Sequence, residues 1–328
     1  MKTHLLGFDI GGTKCAAVLG NRGGEPVDKI KFPTPPAFPE AWELLAAAGR
    51  DLLERGRISQ ENLIAAGISC GGPLDTQAGL VLSPPNLPDW DRIPITRKVE
   101  ETFRCPAFLM NDANACALAE WSAGAGKGSR DMVFLTMGTG LGGGIILNGR
   151  LCEGASGMAG EFGHIRLRRR GPEGYGKKGS FEGFCGGNGI ARRAEALAET
   201  YPDRRSVEEY IKFTGSRDFS VRSLARAEAE GNAFARRIFE LTGEMLGCGL
   251  AVILDGLNPE CIVIGSIFER CEPLLRPAME RVLQQEVLPQ TLAACRIVPA
   301  LLGDRIGDYA ALTVARHGAG ITLSSDPS

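Results

Sequence analysis

The sequence predicts an α/β protein, and three observations predict it. Apolar runs of strand length alternate with segments of helical period along most of the chain. Two of the strand-like runs, Leu5–Ile10 and Met132–Leu135, enter glycine-rich turns and re-emerge as strands at Cys15–Leu19 and Ile145–Leu147. The chain has 328 residues, 44% of them hydrophobic, enough for two domains or one large one with a sizeable core.

Taken in order, residues 5 to 32 read as three strands, turning at Gly11-Gly12 and between Asn21 and Gly24. A proline-rich crossing, Pro33 to Pro39, leads to a helix from about Pro39 to Arg55. The strand Ile64–Ser69 ends in Cys70-Gly71-Gly72-Pro73-Leu74-Asp75, where glycines and a proline mark a turn. Leu80 to Trp90 reads as irregular and polar at Asn86, and Ile95 to Glu101 as a short helix. Ala107–Met110 is a strand running into Asn111-Asp112-Ala113-Asn114. The helix that follows, Ala113 to Gly124, is built mostly of small residues. Asp112 stands at or just before its first turn, where the helix end favours negative charge, and taken alone it reads equally as a helix N-cap. The helix gives way between Gly124 and Gly128, the expected domain boundary.

The hairpin at 132–147 carries five glycines in the seven residues Gly138 to Gly144. Bare successive amides can wrap an anion such as phosphate, and so many glycines imply tight turning or a close approach. Beyond His164 comes a basic run, Arg166 to Arg170, and a loop from Gly171 to Gly179. Phe181–Cys185 leads through Gly186-Gly187 to a helix, Ile190 to Glu199, with a further short helix from Val207. A long helix covers Phe234 to Leu254, its buried face read from Phe234, Ile238, Leu241, Met245, Cys248 and Val252. The strand Cys261–Ile264, a helix Glu269–Gln284, a strand Cys295–Pro299 and a last helix from Ile306 to about Arg316 complete the pattern. Residues 318 to 328 are small and polar, and are expected to be disordered.

Composition removes several function classes. A net charge of -2 and a pI near 6.1 argue against nucleic acid or a membrane surface as the main partner. The ten cysteines form no CxxC or CxC, and no apolar stretch is long enough to span a bilayer. With no secretory leader read at the N-terminus, a reduced, cytoplasmic enzyme is expected. Leu5-Leu6-Gly7-Phe8-Asp9-Ile10-Gly11-Gly12-Thr13-Lys14 is neither a GxxxxGK[ST] loop nor a GxGxxG fingerprint. Two glycine-tipped hairpins with a carboxylate on one can clamp a polyphosphate and its metal. Asp9 would face Mg²⁺, which takes one or two carboxylates plus phosphates.

Seven motifs occur in order between about residues 5 and 317: Asp9 to Lys14, Gly72-Pro73-Leu74-Asp75, Asn86-Leu87 through Trp90, Asn111 to Asn114, Gly138 to Gly144, Ala159-Gly160-Glu161-Phe162-Gly163-His164, and Asn258-Pro259-Glu260 to Gly265. Together they resemble the ROK family of sugar kinases, within the actin-like, hexokinase-like (ribonuclease H-like) ATPases. The resemblance implies two α/β domains with a cleft between them: residues 1–120 with about 306–317 as the small domain, and 121–305 as the large one. It implies phosphate transfer from ATP, with Mg²⁺, to the 6-hydroxyl of a free hexose, glucose before others. Asp112 would be the base, as phosphoryl transfer needs an oriented nucleophile. Gly72, Asn86, Asn111, Glu161, His164 and Glu182 would meet the sugar, and Asp9 the metal, directly or through water. Gly11, Gly12, Thr13, Lys14, Gly138, Thr139 and Gly140 would take the phosphates, with Gly265 and Ser266 near the adenosine. Lobe closure would exclude water, and a homodimer is expected.

The chain departs from the family in one place. A structural zinc held by a histidine and a cysteine cluster is common there, yet between His164 and Glu182 no cysteine occurs, and Ser180 stands where the last would be. No structural zinc is expected, and a backbone carbonyl or Tyr175 is expected to orient His164 instead. The family's repressors add an N-terminal helix-turn-helix, which is not expected here because the first strand is read from Leu5. Fructose, mannose, allose or an N-acetylhexosamine stay open as substrates, as does a sugar-binding regulator without transfer activity.

Overall fold

Asn111 is where local chemistry and topology meet. It ends one strand of a mixed sheet and caps the helix that follows. The structure, a computed structural model, describes residues 2–323, so the disorder expected of the tail lies, from residue 324 on, outside the described residues. The chain divides into two compact units, the first from the described parts of 1–128, 149–157 and 301–328, the second from 129–148 and 158–300.

In the first unit β1 (His4–Ile10), β2 (Lys14–Asn21) and β3 (Pro26–Pro33) form an antiparallel meander. After α1 (Phe38–Gly56), β4 (Leu63–Cys70) pairs parallel to β1. After α2 (Ile95–Phe103), β5 (Ala107–Asn111) pairs parallel to β4, so the order is β3-β2-β1-β4-β5. Alternation decides the two faces. Leu6, Phe8 and Ile10 enter a core with Leu45 and Leu52 of α1, Val99 and Phe103 of α2, and Trp90. On the other face lies the C-terminal helix, Ile306–Gly318. It comes close because β1 and β4 carry glycine beneath it: a Cβ on Gly7 would stand 2.9 Å from that of Ala311, and one on Gly67 3.0 Å from that of Val314. The stretch Leu80–Trp90, expected to be irregular, contributes Leu80–Val81 to a small sheet with Leu74–Asp75 and Ile93–Pro94, and buries Leu87 and Trp90.

The helix α3 spans Asp112–Ala123. Its N-cap is Asn111, whose Oδ1 accepts from the N–H groups of Ala113 (3.0 Å) and Asn114 (3.4 Å). Asp112 is therefore the first helical residue and not the cap. Near the other end Glu120 is fully buried, and its carboxylate accepts from Ala125 N–H (2.7 Å), Leu301 N–H (3.1 Å) and Leu302 N–H (2.9 Å). The chain leaves the first unit after Gly128, revisits it at 149–157 and comes back for the last time at Leu301, so this one carboxylate fastens the first departure and the final return to α3.

In the second unit β6 (Met132–Met137) and β7 (Leu141–Leu147) form the glycine-tipped hairpin. Six helices and one strand make up most of the sequence from 181 to 286: α4 (Phe181–Cys185), α5 (Gly187–Thr200), α6 (Arg204–Thr214), α7 (Val221–Ala229), α8 (Ala233–Leu257) and, after β8 (Cys261–Ser266), α9 (Ile267–Glu286). A short α10 (Pro289–Ala294) precedes β9 (Arg296–Pro299). β8 runs parallel to both β6 and β9. The sequence reading includes neither α7 nor α10. Their starts are nonetheless marked, by the Ser220 hydroxyl accepting from Ser223 N–H (3.3 Å) and by Pro289 in the first turn.

The buried face of α8 differs from the expected stripe. Val252 is half exposed, and Leu241 and Cys248 are only partly covered. The tight side carries glycines instead. A Cβ on Gly247 would meet Val282 Cβ of α9 at 2.7 Å, and one on Gly243 would meet Ala278 Cβ at 3.0 Å. Glycine contributes nothing to an apolar count, so the closest helix contact left no mark in the periodicity.

Replacing Glu120 by Gln removes one acceptor oxygen from a buried set of N–H donors. A loss of about 2–4 kcal/mol is expected, since each stranded backbone donor costs roughly 1–3 kcal/mol. Urea unfolding of Glu120→Gln checks this, and an unchanged midpoint would show that the crossings do not depend on the carboxylate.

Candidate active site

The first unit gathers its candidate residues at the carboxyl ends of three parallel strands. Ile10, Cys70 and Asn111 lie in one row across β1, β4 and β5, and the turns that follow leave from that edge. Such an edge is where open α/β sheets bind ligands. Gly11 N–H donates to Lys14 O (3.1 Å) to close the first turn, and the Thr34 hydroxyl donates to Gly11 O (2.6 Å). Gly12, Thr13 and Lys14 are exposed at the tip. Asn86 packs over Gly12, whose missing side chain leaves it room: a Cβ there would sit 3.1 Å from Asn86 O. A Cβ on Gly71 would stand 3.8 Å from Asp112 Oδ2, and one on Gly72 3.5 Å from Asn111 Nδ2. Backbone without side chains therefore borders both polar groups.

Asp9 lies on the face that carries the C-terminal helix, one step beyond Gly7. Gly307, in the first turn of that helix, makes the space: a Cβ there would come within 2.9 Å of Asp9 Cγ. Burial, and after it the negative charges of Asp112 and Asp308, push the Asp9 carboxyl up from 3.8 to about 6, against the opposite pull of Lys31 and Lys29. Asp308 is buried and bonded to Lys29 Nζ at 2.7 Å. The Asp112 carboxylate is reached by solvent, and Oδ1 accepts from Ala113 N–H at 2.8 Å. The protein crowded around it still removes enough water to raise its pKa above the usual range, and its hydrogen bond lowers it by less.

The second unit gathers another set. The tip residues Gly138 and Thr139 turn their carbonyls to the first amides of α5, Gly187 N–H (2.8 Å) and Asn188 N–H (3.2 Å). The Ser266 hydroxyl lies 3.7 Å from where a Gly138 Cβ would be, and Gly265 precedes it at the end of β8. Glu182 on α4 reaches back to this turn: its Oε2 accepts from Leu141 N–H at 3.0 Å. One carboxylate oxygen of this expected sugar contact is thus engaged by backbone. Glu161 leads into a 3₁₀ turn, Phe162–His164, seated on β7. Gly143 of β7 is required there, since a Cβ would fall 3.0 Å from Gly160 O and 2.9 Å from the Phe162 ring. Part of the glycine run therefore serves packing against this turn and not the hairpin tip. His164 meets the Tyr175 ring edge-to-face, centroids 5.0 Å apart.

Sequence reading missed Asp308, Lys29 and Gly307. The only available signal was an acidic residue in the first turn of the last helix, which an ordinary helix start explains equally well.

An Asp that titrates at 3.8 unfolded and about 6 folded is a buried charge the native state resists. Between those values the folded state binds more protons, so stability falls as pH rises, by on the order of 3 kcal/mol once ionisation is complete. Asp9→Asn is expected to raise the melting temperature of the ligand-free protein at pH 7.5 and to change it little at pH 4.5. Equal shifts at both pH values would remove the charge explanation.

The chain was compared with known proteins. The ROK family model matches residues 5–317. A glucokinase of Streptomyces coelicolor is 32% identical over 314 residues, 95% of this chain and 97% of the other. Among solved structures, a ROK hexokinase from Thermus thermophilus superposes with a TM-score of 0.79 at 30% identity, covering 97% of this chain and 100% of that one. A ROK family glucokinase from Streptomyces griseus, in complex with glucose and AMPPNP, gives 0.78 at 30% identity over 96% and 100%. A family match across nearly the whole chain, with seven motifs in order on the two strand–turn frameworks, makes this protein a member of the ROK family.

Proposed function

We propose that the protein is an ATP-dependent kinase that phosphorylates a free hexose, glucose first, at its 6-hydroxyl. The observation that carries the reading is the setting of Asp112. Its carboxylate is open to solvent, its pKa is raised, and the neighbouring turn at Gly71-Gly72 presents only backbone, so a hydroxyl can approach. A base must lie within hydrogen-bond reach of the proton it takes, and a raised pKa brings it nearer the operating pH. The Asn111 Oδ1 is committed to the helix cap, which leaves its Nδ2 to donate to a ring hydroxyl. Gly72, Asn86, Glu161, His164 and the Glu182 oxygen not held by Leu141 complete the sugar contacts in this reading.

Gly11, Gly12, Thr13, Lys14, Gly138, Thr139 and Gly140 take the phosphates, and Gly265 with Ser266 the adenosine. Asp9 fits a Mg²⁺ role because its charge is buried beside two other carboxylates and only partly offset by lysines. The ion, when bound, would neutralise charge developing on the phosphates. The glucose and AMPPNP bound by the Streptomyces griseus relative support this pair of ligands. A cytoplasmic location accords with ten free cysteines and with no helix among the described residues long and apolar enough to cross a membrane. The proposed homodimer would use the exposed Val252 and Leu288, which lie close on one surface since Leu288 N–H donates to Asp255 of α8.

ADP release measured over a panel of hexoses and N-acetylhexosamines is expected to be fastest with glucose. Asp112→Asn should lower kcat about 10²–10⁴-fold, the range of a lost general base. The same variant should still gain melting temperature on adding the sugar. Turnover that survives the substitution would discard Asp112 as the base. A sugar-induced stabilisation with no turnover in the wild type would favour the regulator. Light scattering should give twice the chain mass, falling to one in Val252→Glu.

A further inference from the structure

The zinc common in the family does not fit this chain. No cysteine occurs from residue 153 to 184, and no set of His and Cys side chains that could hold zinc gathers at His164 among the described residues. Ser180, in place of a cysteine, has another task. Its hydroxyl accepts from Gly183 N–H (3.1 Å) to cap α4 and lies 3.4 Å from Gly174 O. His164 must then be held some other way if it is to read a sugar.

We propose that a two-residue hairpin replaces the metal, and that Tyr175 and Lys177 are the residues that position His164 for sugar binding. The proposal rests on the hexose-kinase reading. Glu173–Gly174 pairs with Lys177–Lys178, and Tyr175-Gly176 form the tip. Their φ values of +46° and +72° are both left-handed, as a two-residue turn matched to strand twist requires. Glycine adopts this freely, but tyrosine does not, so the side chain at the tip is kept against a local backbone preference.

What Tyr175 does there is visible. Its residue is 63% exposed, yet the ring edge meets the His164 imidazole at 5.0 Å and an interplanar angle of 85°. From the second strand of the same hairpin, Lys177 Nζ donates to the His164 carbonyl at 2.6 Å. Ring and backbone of one histidine are therefore gripped from one element. The turn itself is held on β7 through close backbone approaches at Gly160 and Gly163, neither of which reaches the His164 ring, so the ring's direction is left to the hairpin. The hairpin is in turn fastened at its base by Leu167 N–H to Gly179 O (2.9 Å), Gly179 N–H to Pro172 O (2.9 Å) and Phe181 N–H to Ile165 O (2.8 Å). The last of these leads into α4, which carries Glu182. Two of the three expected sugar contacts of this unit, His164 and Glu182, thus share one support made of hydrogen bonds. Partners behind a working side chain commonly fix its ring and raise its effect.

The protein has only three histidines, His4, His164 and His317, so its imidazole resonances can be assigned by single substitution. In the full-length protein, Tyr175→Ala should shift the His164 ring signals and raise the KM for sugar about two- to tenfold, the worth of an aromatic edge contact. Lys177→Met should raise it about tenfold or more, as the loss of a charged hydrogen bond does. In both, kcat and the KM for ATP should stay within about twofold of wild type, and Tyr175→Phe and Lys177→Arg should restore the sugar KM. Chelator treatment should leave the His164 signals unchanged. Unchanged His164 signals in Tyr175→Ala and Lys177→Met would overturn the proposal, as would stoichiometric zinc in the purified protein. The NMR readout needs no turnover, so a failed kinase reading would show separately, as a wild type inert to every sugar while the His164 shifts remain.

Discussion

The C-terminal helix reaches the first sheet only because β1 and β4 present no side chain beneath it. Gly7 and Gly67 let the backbone of Ala311–Ala315 settle directly on the strands, and Gly307 leaves the helix's first turn open where Asp9 ends up. A single methyl at any of these positions would lift the helix, and well-packed interiors tolerate such intrusions poorly. Because the helix is the last regular element among the described residues, the pocket that holds Asp9 is finished only when residues distant in the sequence meet. The buried Glu120 secures this arrangement, tying the returning chain at Leu301 and Leu302 to the helix that begins with Asp112.

The carboxylates of the first unit sit where folding alone would not put them. Asp9 is desolvated and lies near Asp112 and Asp308, with Lys29 and Lys31 offsetting only part of that charge. A protein that retains such a cluster gives up stability for a local negative charge suited to a cation. Asp112 differs from Asp9 in being open to water while still raised in pKa, the combination a general base needs. Two carboxylates on one sheet edge thus acquire different characters from their surroundings alone.

In the second unit the economy is of another kind. The turn that carries Glu161 and His164 lies in a stretch without cysteine and is braced by a hairpin, a capping serine and a lysine. Hydrogen bonds and one aromatic edge contact are individually weak, but several converging on a short segment can fix a side chain's direction. Glu182 shows the same convergence, since the carboxylate expected to face a sugar also closes the backbone at Leu141.

Much of this was written in the sequence. The strands, the long helices and the seven motifs are local patterns, set by side-chain alternation, by helical period and by glycine at turns. Asp112, Asn111, the two glycine-tipped hairpins and the missing cysteines could all be read without coordinates. Tyr175 as a partner of His164 was also within reach, since the loop offered few alternatives. The misreadings share a cause. On α8 the expected stripe held at Phe234, Ile238 and Met245 but not at Val252, and the closest contact with α9 is made by Gly243 and Gly247, which carry no apolar signal. Asp308, Lys29, Gly307 and Glu120 have meaning only through residues roughly 180 to 300 positions away or through a neighbouring chain crossing, and a one-dimensional pattern cannot show them. The sequence by itself determined which chemistry is present and on which turns it sits. Only tertiary structure decided which charges are buried together and which amides they answer, because desolvation and hydrogen bonding depend on neighbours in space.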